Sequence, residues 1–339
     1  MADEGMSGSG PAVAVANFDA GGAVVSLAPH PTGHINDGYL VATDRRRFLL
    51  QRLNPSVFPG AEAVMANVVA VTTHLRAKGE PTLTLVPTRT GARSWRDNAG
   101  ATWRMYDYLE GAHPLHVGSP DDAAIVGRAF GRFHRIVGDL DPSSLQVSVP
   151  GFHDPARRRA QLEHAAEADP CSRVAKVADL VDDLLTYAVP SIKGLPLRVA
   201  HNDAKAANLL VDDIGARPPL VVDLDTVMPG SVLWDVGDMV RSSTGTADEA
   251  AATVTFDADR YRALVEAWLD EVGSLLTDDE RRAVPSAGTV VTFEQAVRFL
   301  TDHLLGDVYF RVSRPGENLD RARNQWQLLR SMESRMGSW

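Results

Sequence analysis

His201, Asp203, Lys205 and Asn208 stand in the run HNDAKAANLLVDD, whose polar spacing His-x-Asp-x-Lys-x-x-Asn gives way to an apolar Leu-Leu-Val. Fifteen residues past Asn208 a second apolar stretch, VVDLDT, presents Asp223 and Asp225. Phosphoryl transfer needs parts of this kind in this order. One carboxylate orients a hydroxyl and accepts its proton, and an amide and a second carboxylate then hold magnesium on nucleotide phosphates. On this reading Asp203 is the base and Asn208 and Asp223 are the metal ligands. Magnesium takes oxygen ligands and keeps waters and phosphate oxygens in its shell, so one amide and one carboxylate from the protein are enough. Asp225 is the weaker metal candidate, since strand alternation points it the same way two residues further out. Either stretch alone also reads as structure, a polar turn or a strand running into a loop. Together, in order and with Lys205 two after Asp203, they read as chemistry.

The elements that must position these residues follow from periodicity. From Val24 the pattern is of short strands, VVSLAP, YLVAT and RFLLQRL, with DRRR as a hairpin tip between the last two. PTGHINDG precedes YLVAT, and its Gly33 lies in a turn that either lays backbone N–H groups over phosphates or simply joins two strands. Arg52 on the third strand is the candidate phosphate-binding cation, or an exposed edge-strand arginine. A helix is expected from about residue 60 to 78, with Val64, Val68, Val71 and Leu75 as its apolar stripe. Glu62 in its first turn either braces the cation or complements the helix dipole. TLTLVPT and ATWRMYDYLEG add two strands, and a boundary is expected at Glu110-Gly111.

Beyond it, DDAAIVGRAFGRFHRIV reads as a helix on which His134 is a core histidine, and residues 154–189 read as further helix. A short strand, LPLRVA, leads into His201. After VVDLDT a Met-Pro-Gly turn precedes Asp235, expected to hold the catalytic loop through its N–H groups, and Asp238, for which a solvated role is equally open. A helix over DADRYRALVEAWLDEVGSLL is followed by another beginning at TFEQAV. Arg298 and Asp302 are four apart on it, the spacing of a surface bridge. Tyr309 and Arg311 follow Gly306, and a last helix closes the chain.

Composition sets the limits. The 339 residues suit one large or two moderate domains, and 44% hydrophobic with 23% charged residues is ordinary for a globular chain. A net charge of −10 without a long basic run argues against a nucleic-acid partner or an anionic membrane surface. Cys171 is the lone cysteine, which excludes an intrachain disulfide framework and suits a reducing cytoplasm. MADEGMSGSGPAVAVA has acids and Gly/Ser where a signal peptide would be basic, so residues 1–16 are expected to be a mobile tail.

The body of the chain resembles the N-acetylhexosamine 1-kinases, a branch of the aminoglycoside phosphotransferase and choline kinase superfamily. HNDAKAANLL and VVDLDT carry the superfamily likeness. GHINDGYL, FLLQRLNPSVFP, DLDTVMPGSVLWDVGD, RFLTDHLLGDVYF and NLDRARNQ carry that of the branch. The resemblance implies an α+β, protein-kinase-like bilobal fold: a small antiparallel-sheet lobe over residues 17–110, a larger mainly helical lobe over 111–339, and ATP with Mg2+ in the cleft between. It implies Asp203 as base, Asn208 and Asp223 as metal ligands, and Lys205 as a contact to the transferred phosphate. Arg52 stands where the wider superfamily usually has Lys. The acceptor implied is a small-molecule sugar, an N-acetylhexosamine phosphorylated on its anomeric hydroxyl, with His34, Asn36, Arg298, Asp302, Tyr309 and Arg311 as candidate sugar contacts. An aminoglycoside or small-alcohol kinase with the same catalytic parts, or a nucleotide-binding pseudokinase, are the alternatives.

Overall fold

The computed structural model describes residues 10–30, 35–192, 194–212, 215 and 217–336. Two compact units emerge, Met1–Ala112 with Gln146–Val149, and His113–Leu145 with Pro150–Trp339.

The first unit holds α1 (Pro11–Ala16), β1 (Val24–Pro29), β2 (Asp37–Thr43), β3 (Arg47–Arg52), α2 (Ala61–Ala77), β4 (Trp95–Arg96) and β5 (Thr102–Asp107). The strands form one antiparallel sheet in the order β1-β2-β3-β5-β4. Alternation sends Val41, Phe48, Leu50, Trp103 and Met105 into one core, and Ala14, Val15 and Phe18 complete it. The expected tail is therefore corrected in its described part: residues 11–16 are helical, and Ala14 and Val15 are buried, while residues 1–9 lie outside the described residues. Burying a valine or phenylalanine side chain contributes about 1.5–3 kcal/mol each, enough to order a short apolar segment that its Gly/Ser-rich surroundings disguise. The DRRR hairpin tip is closed by Thr43, whose Oγ1 accepts from the N–H groups of Arg45 and Arg46 at 3.3 and 3.1 Å. TLTLVPT, by contrast, makes only isolated bridges, Leu85 to Tyr106 and Thr88 to Phe18. α2 buries Val64, Val68, Val71 and Leu75, the stripe its spacing predicts.

The second unit begins with β6 (Ala112–Pro114), whose first residue is the boundary, and α3 (Pro120–Val137). It continues with α4 (Pro155–Ala168), α5 (Ala178–Thr186), β7 (Arg198–Ala200), β8 (Leu209–Asp212), β9 (Leu220–Val221), β10 (Met228–Gly230), α6 (Val232–Ser243), α7 (Ala258–Val272), α8 (Asp278–Leu305) and α9 (Glu317–Met336). β6, β8 and β9 form one small sheet, β7 and β10 another. Residues 154–189 are not one helix, because Asp169 turns left-handed (φ 34°) and ends α4. Met-Pro-Gly is strand rather than turn, its three residues pairing with Ala200, Val199 and Arg198. α8 starts well before the expected TFEQAV and carries Pro285 inside it, begun by a capping box between Thr277 and Glu280.

Two glycines let the helices that frame the site approach closely. A Cβ on Gly127 of α3 would lie 2.2 Å from the Leu264 carbonyl oxygen of α7, and one on Gly237 of α6 would lie 2.4 Å from that of Ala287 of α8. Among the described residues no helix is long and apolar enough to cross a membrane.

Candidate active site

All the groups of the HNDAKAAN run and of VVDLDT lie in the second unit, between the β7–β10 pair and the β8–β9 pair. β7 ends at Ala200, and the chain turns through His201 and Asn202, both buried, before Asp203. Asn202 is left-handed (φ 62°), a conformation asparagine tolerates better than most side chains because its short polar group bonds locally. Here its amide donates to the carbonyls of Ala200 and Thr226 at 3.1 and 3.0 Å.

Asp235, fully buried at the start of α6, holds the turn as the sequence predicts. Its Oδ2 accepts the His201 N–H at 2.7 Å and its Oδ1 the Asn202 N–H at 2.6 Å. His134 Nε2 lies 2.7 Å from the same Oδ2, and His134 Nδ1 accepts from Trp268 Nε1 at 3.0 Å. Trp268 thereby leaves the imidazole with its hydrogen on Nε2, pointed at the carboxylate. Burial would raise the Asp235 pKa, but the bonds from His134 and the loop amides outweigh it and hold the carboxyl below its usual range. His134 is buried as expected, and it also steadies the loop from α3. Asp238 is neither solvated nor bonded to loop amides; it is buried and accepts from Arg241 Nε at 2.8 Å.

The Asp203 side chain keeps 26% exposure. Its Oδ2 accepts from Lys205 Nζ at 2.7 Å and from Asn208 Nδ2 at 2.8 Å. Asn208 Nδ2 also donates to the Asp203 carbonyl at 2.8 Å. Both partners of that nitrogen are pure acceptors, so the amide orientation is fixed and its Oδ1 faces away from Asp203. Desolvation works against the Asp203 carboxylate, yet the ammonium of Lys205, with smaller help from His201 and Asn208, drives its pKa well below the ordinary carboxylate range. Lys205 is pushed the other way: burial lowers it, but Asp203 first and Asp223 next raise it well above the ordinary lysine value. Asp223 thus lies within electrostatic reach of Lys205. It is left-handed (φ 60°) and opens the short 3-10 turn Leu224–Thr226. Asp225, two further on, is buried.

Among the described residues no group of three or more His, Cys, Asp or Glu converges as a metal cage. An ion held by one amide oxygen and one carboxylate, with phosphate and water completing the shell, needs no such cage. The donor set available from Asn208 and Asp223 is all oxygen, as magnesium requires.

The remaining sequence candidates divide. Gly33 and His34 lie outside the described residues. Asn36 is buried, and its Oδ1 accepts the Asn54 N–H at 3.0 Å, which ties down the loop after β3. Arg52 is 42% exposed with Nη1 3.6 Å from Asp37 Oδ2. Glu62 does not brace it: that side chain is 90% exposed and faces Arg96 at 3.7 Å.

Asp302 is a correction. It makes no bridge to Arg298 and is buried, its Oδ1 accepting the N–H groups of Val308 and Tyr309 (2.9 and 2.8 Å) and its Oδ2 those of Phe310 and Asn318 Nδ2 (both 2.9 Å). A carboxylate so engaged shapes the turn after α8 and has no lone pair spare for a sugar. Tyr309, presented by that turn, has its hydroxyl 3.4 Å from Arg298 Nη2, and the Arg298 guanidinium lies over the rings of Phe152, Tyr309 and Phe310. Arg311 is exposed, and its carbonyl accepts from Arg321. Next to Arg298 the structure adds residues that no sequence pattern marked: Arg158 on α4, Glu294 on α8 and His153.

Solved structures of similar fold span nearly the whole chain. An aminoglycoside phosphotransferase from Alicyclobacillus acidocaldarius aligns over 98% of each chain with a TM-score of 0.64 and 14% identity. A microcompartment-associated aminopropanol kinase aligns over 96% of each, at 0.61 and 18%. A spectinomycin phosphotransferase solved with ADP and spectinomycin aligns over 91% of this chain and 92% of its own, at 0.59 and 11%. These carry the fold, a kinase-like mix of a small antiparallel sheet unit and a helical unit. A model of the APH phosphotransferase enzyme family matches residues 26–271, a span that takes in both the sheet of the first unit and the Asp203–Asp223 constellation of the second. With most of its length inside that match, this chain belongs to the phosphotransferase enzyme family.

Proposed function

We propose that this protein is an ATP- and magnesium-dependent small-molecule kinase that phosphorylates the anomeric hydroxyl of an N-acetylhexosamine, giving the sugar 1-phosphate. The observation that carries the reading is the state of Asp203. One carboxylate oxygen is fixed by Lys205 and Asn208, and the other is left for a hydroxyl. Asp203 orients that hydroxyl. As its oxygen bonds to the γ-phosphorus and the bond to the bridging oxygen of ADP breaks, Asp203 takes the released proton. A carboxylate held this acidic is a weak base toward an unreacted alcohol, so the proton moves late, as a loose, largely dissociative transition state allows. Asn208 Oδ1 and Asp223 hold the magnesium, which when bound neutralises charge on the phosphates. Lys205 steadies Asp203 and is close enough in charge terms to Asp223 to serve the transferred phosphate as well. Arg52 supplies a cation for the nucleotide phosphates.

The sugar acceptor draws support from the branch-like segments and from the surroundings of Arg298. Two guanidiniums, Arg158 and Arg298, stand near one buried carboxylate, Glu294, among Phe152, Tyr309 and Phe310. Such a mixed donor and acceptor lining with aromatic faces suits a neutral polyol, whereas a polycationic aminoglycoside or choline would meet like charge. Phosphorus NMR of the product from purified protein, ATP and N-acetylglucosamine or N-acetylgalactosamine is the test. A phosphate coupled to the anomeric proton is expected. Turnover only of aminoglycosides or choline would replace this reading with the broader one.

A further inference from the structure

The segment between Gly151 and α4 carries a buried histidine that the chemistry above does not use. His153 Nε2 lies 2.9 Å from the carbonyl oxygen of Asn202, and its Nδ1 lies 3.3 Å from Glu294 Oε2. A carbonyl and a carboxylate both only accept. With both ring nitrogens facing acceptors, the arrangement calls for a hydrogen on each, which is the imidazolium. Trp234 of α6 stacks on the ring at 5.0 Å and 12°, a favourable seat for a planar cation.

The carbonyl that His153 grips belongs to the peptide that leads into Asp203. Because a peptide is planar, the Asn202 carbonyl and the Asp203 N–H turn together. That N–H donates to His201 Nδ1 at 3.3 Å, while the Asn202 N–H and side chain are held by Asp235 and by the carbonyls of Ala200 and Thr226. His153 supplies the grip on the opposite side of the turn.

We infer that His153 is a positioning residue for phosphoryl transfer: as an imidazolium bridging Glu294 to the Asn202 carbonyl, it fixes the peptide plane that aims Asp203. The inference rests on the reading of Asp203 as the catalytic carboxylate. The charged groups around the bridge are Glu294 and Arg298 of α8, Arg158 of α4, whose Nε lies 3.6 Å from Glu294 Oε1, and Asp238 of α6. Burial lowers the His153 pKa, but Glu294 first, then the Asn202 carbonyl and Asp238, raise it above the ordinary histidine value. The bridge is therefore intact below that raised value and is lost as pH rises through it, taking kcat down with it.

Two measurements on the full chain test this. Histidine side-chain NMR without substrate should show His153 titrating above the ordinary histidine range, with the Asn202 and Asp203 amide signals moving in step. In Glu294→Gln the titration should shift to lower pH. His153→Gln should lower kcat about tenfold to a hundredfold, leave KM for ATP near the parent value, and flatten the alkaline fall in kcat. A His153 that is neutral at pH 6, a titration unmoved by E294Q, or an H153Q profile equal to the parent's would each overturn the inference. Should H153Q not fold, the E294Q titration decides alone. These NMR readings need no turnover, so they stand apart from the Asp203 reading, which fails separately if Asp203→Asn remains active.

Discussion

Asp203 is held by two donors on one oxygen, and that asymmetry has measurable consequences. Asp203→Asn keeps the volume and the link to Asn208 but cannot take a proton, so kcat should fall by about 10² to 10⁴ while nucleotide affinity stays near the parent's. Turnover within a few-fold of the parent would remove Asp203 from the base role. The pair with Lys205 also ties stability to pH. Asp203 has a lowered pKa in the folded protein, so its pairing contributes stability above the ordinary carboxylate value, and that contribution is lost as pH falls through the lowered value. Lys205→Ala should accordingly lower Tm most at neutral pH, and the gap to the parent should close on acidification. A gap that does not narrow at any pH below the ordinary carboxylate value would mean that the pair contributes no charge stabilisation.

At the scale of elements, β7 is anchored through its first residue. Arg198 Nε and Nη2 make a two-point contact with Glu280 of α8 at 2.7 and 2.9 Å, and Glu280 also closes the capping box with Thr277. Burial raises the Glu280 pKa, but Arg198 and Thr277 outweigh that and lower it. Glu280→Ala takes the carboxylate from the guanidinium, leaving it the Leu275 carbonyl alone, and removes the side-chain half of the capping box; it should destabilise the protein by about 3 kcal/mol in urea unfolding, and a loss under about 1 kcal/mol would mean that solvent replaces the pair. β2, β3, α2 and α3 could be read from the sequence because their burial repeats every two or every three to four residues. α1 could not, since Pro-Ala-Val-Ala-Val-Ala is too short for periodicity and its burial depends on Trp103 and Phe48, far along the chain. β10 was hidden by Pro-Gly turn chemistry, and the unbroken α8 by Pro285. In the site, residue order alone put forward Asp203, Asn208 and Asp223 as base and metal ligands. The spacing of Arg298 and Asp302 showed a shared helix face, but not the three backbone N–H groups beyond Gly306 that claim Asp302. His153 and Glu294 are 141 residues apart, and no local pattern joins them.

The whole molecule carries a net charge of −10, so under the proposed function a polyanionic nucleotide would gain nothing from the overall field and would depend on local cations and on the metal. Within the second unit Asp203 and Asp223 add two carboxylates against the single Lys205, and free ATP would meet them unscreened. Magnesium on the phosphates reverses that balance. Stabilisation by nucleotide should therefore be conditional on the metal: Mg·ATP at about 100 times its Kd contributes about 2.7 kcal/mol, a rise in Tm on the order of 5 °C for a chain of this size. Chelation with EDTA should remove the rise while leaving the nucleotide-free Tm unchanged. Asp223→Asn is the matching variant, because asparagine tolerates the left-handed backbone at this position (φ 60°) where alanine would be strained. It should unfold near the parent's Tm without ligand and show no rise with Mg·ATP. If D223N responds to Mg·ATP as the parent does, the metal is held by another acid, and Asp225 is the first to examine.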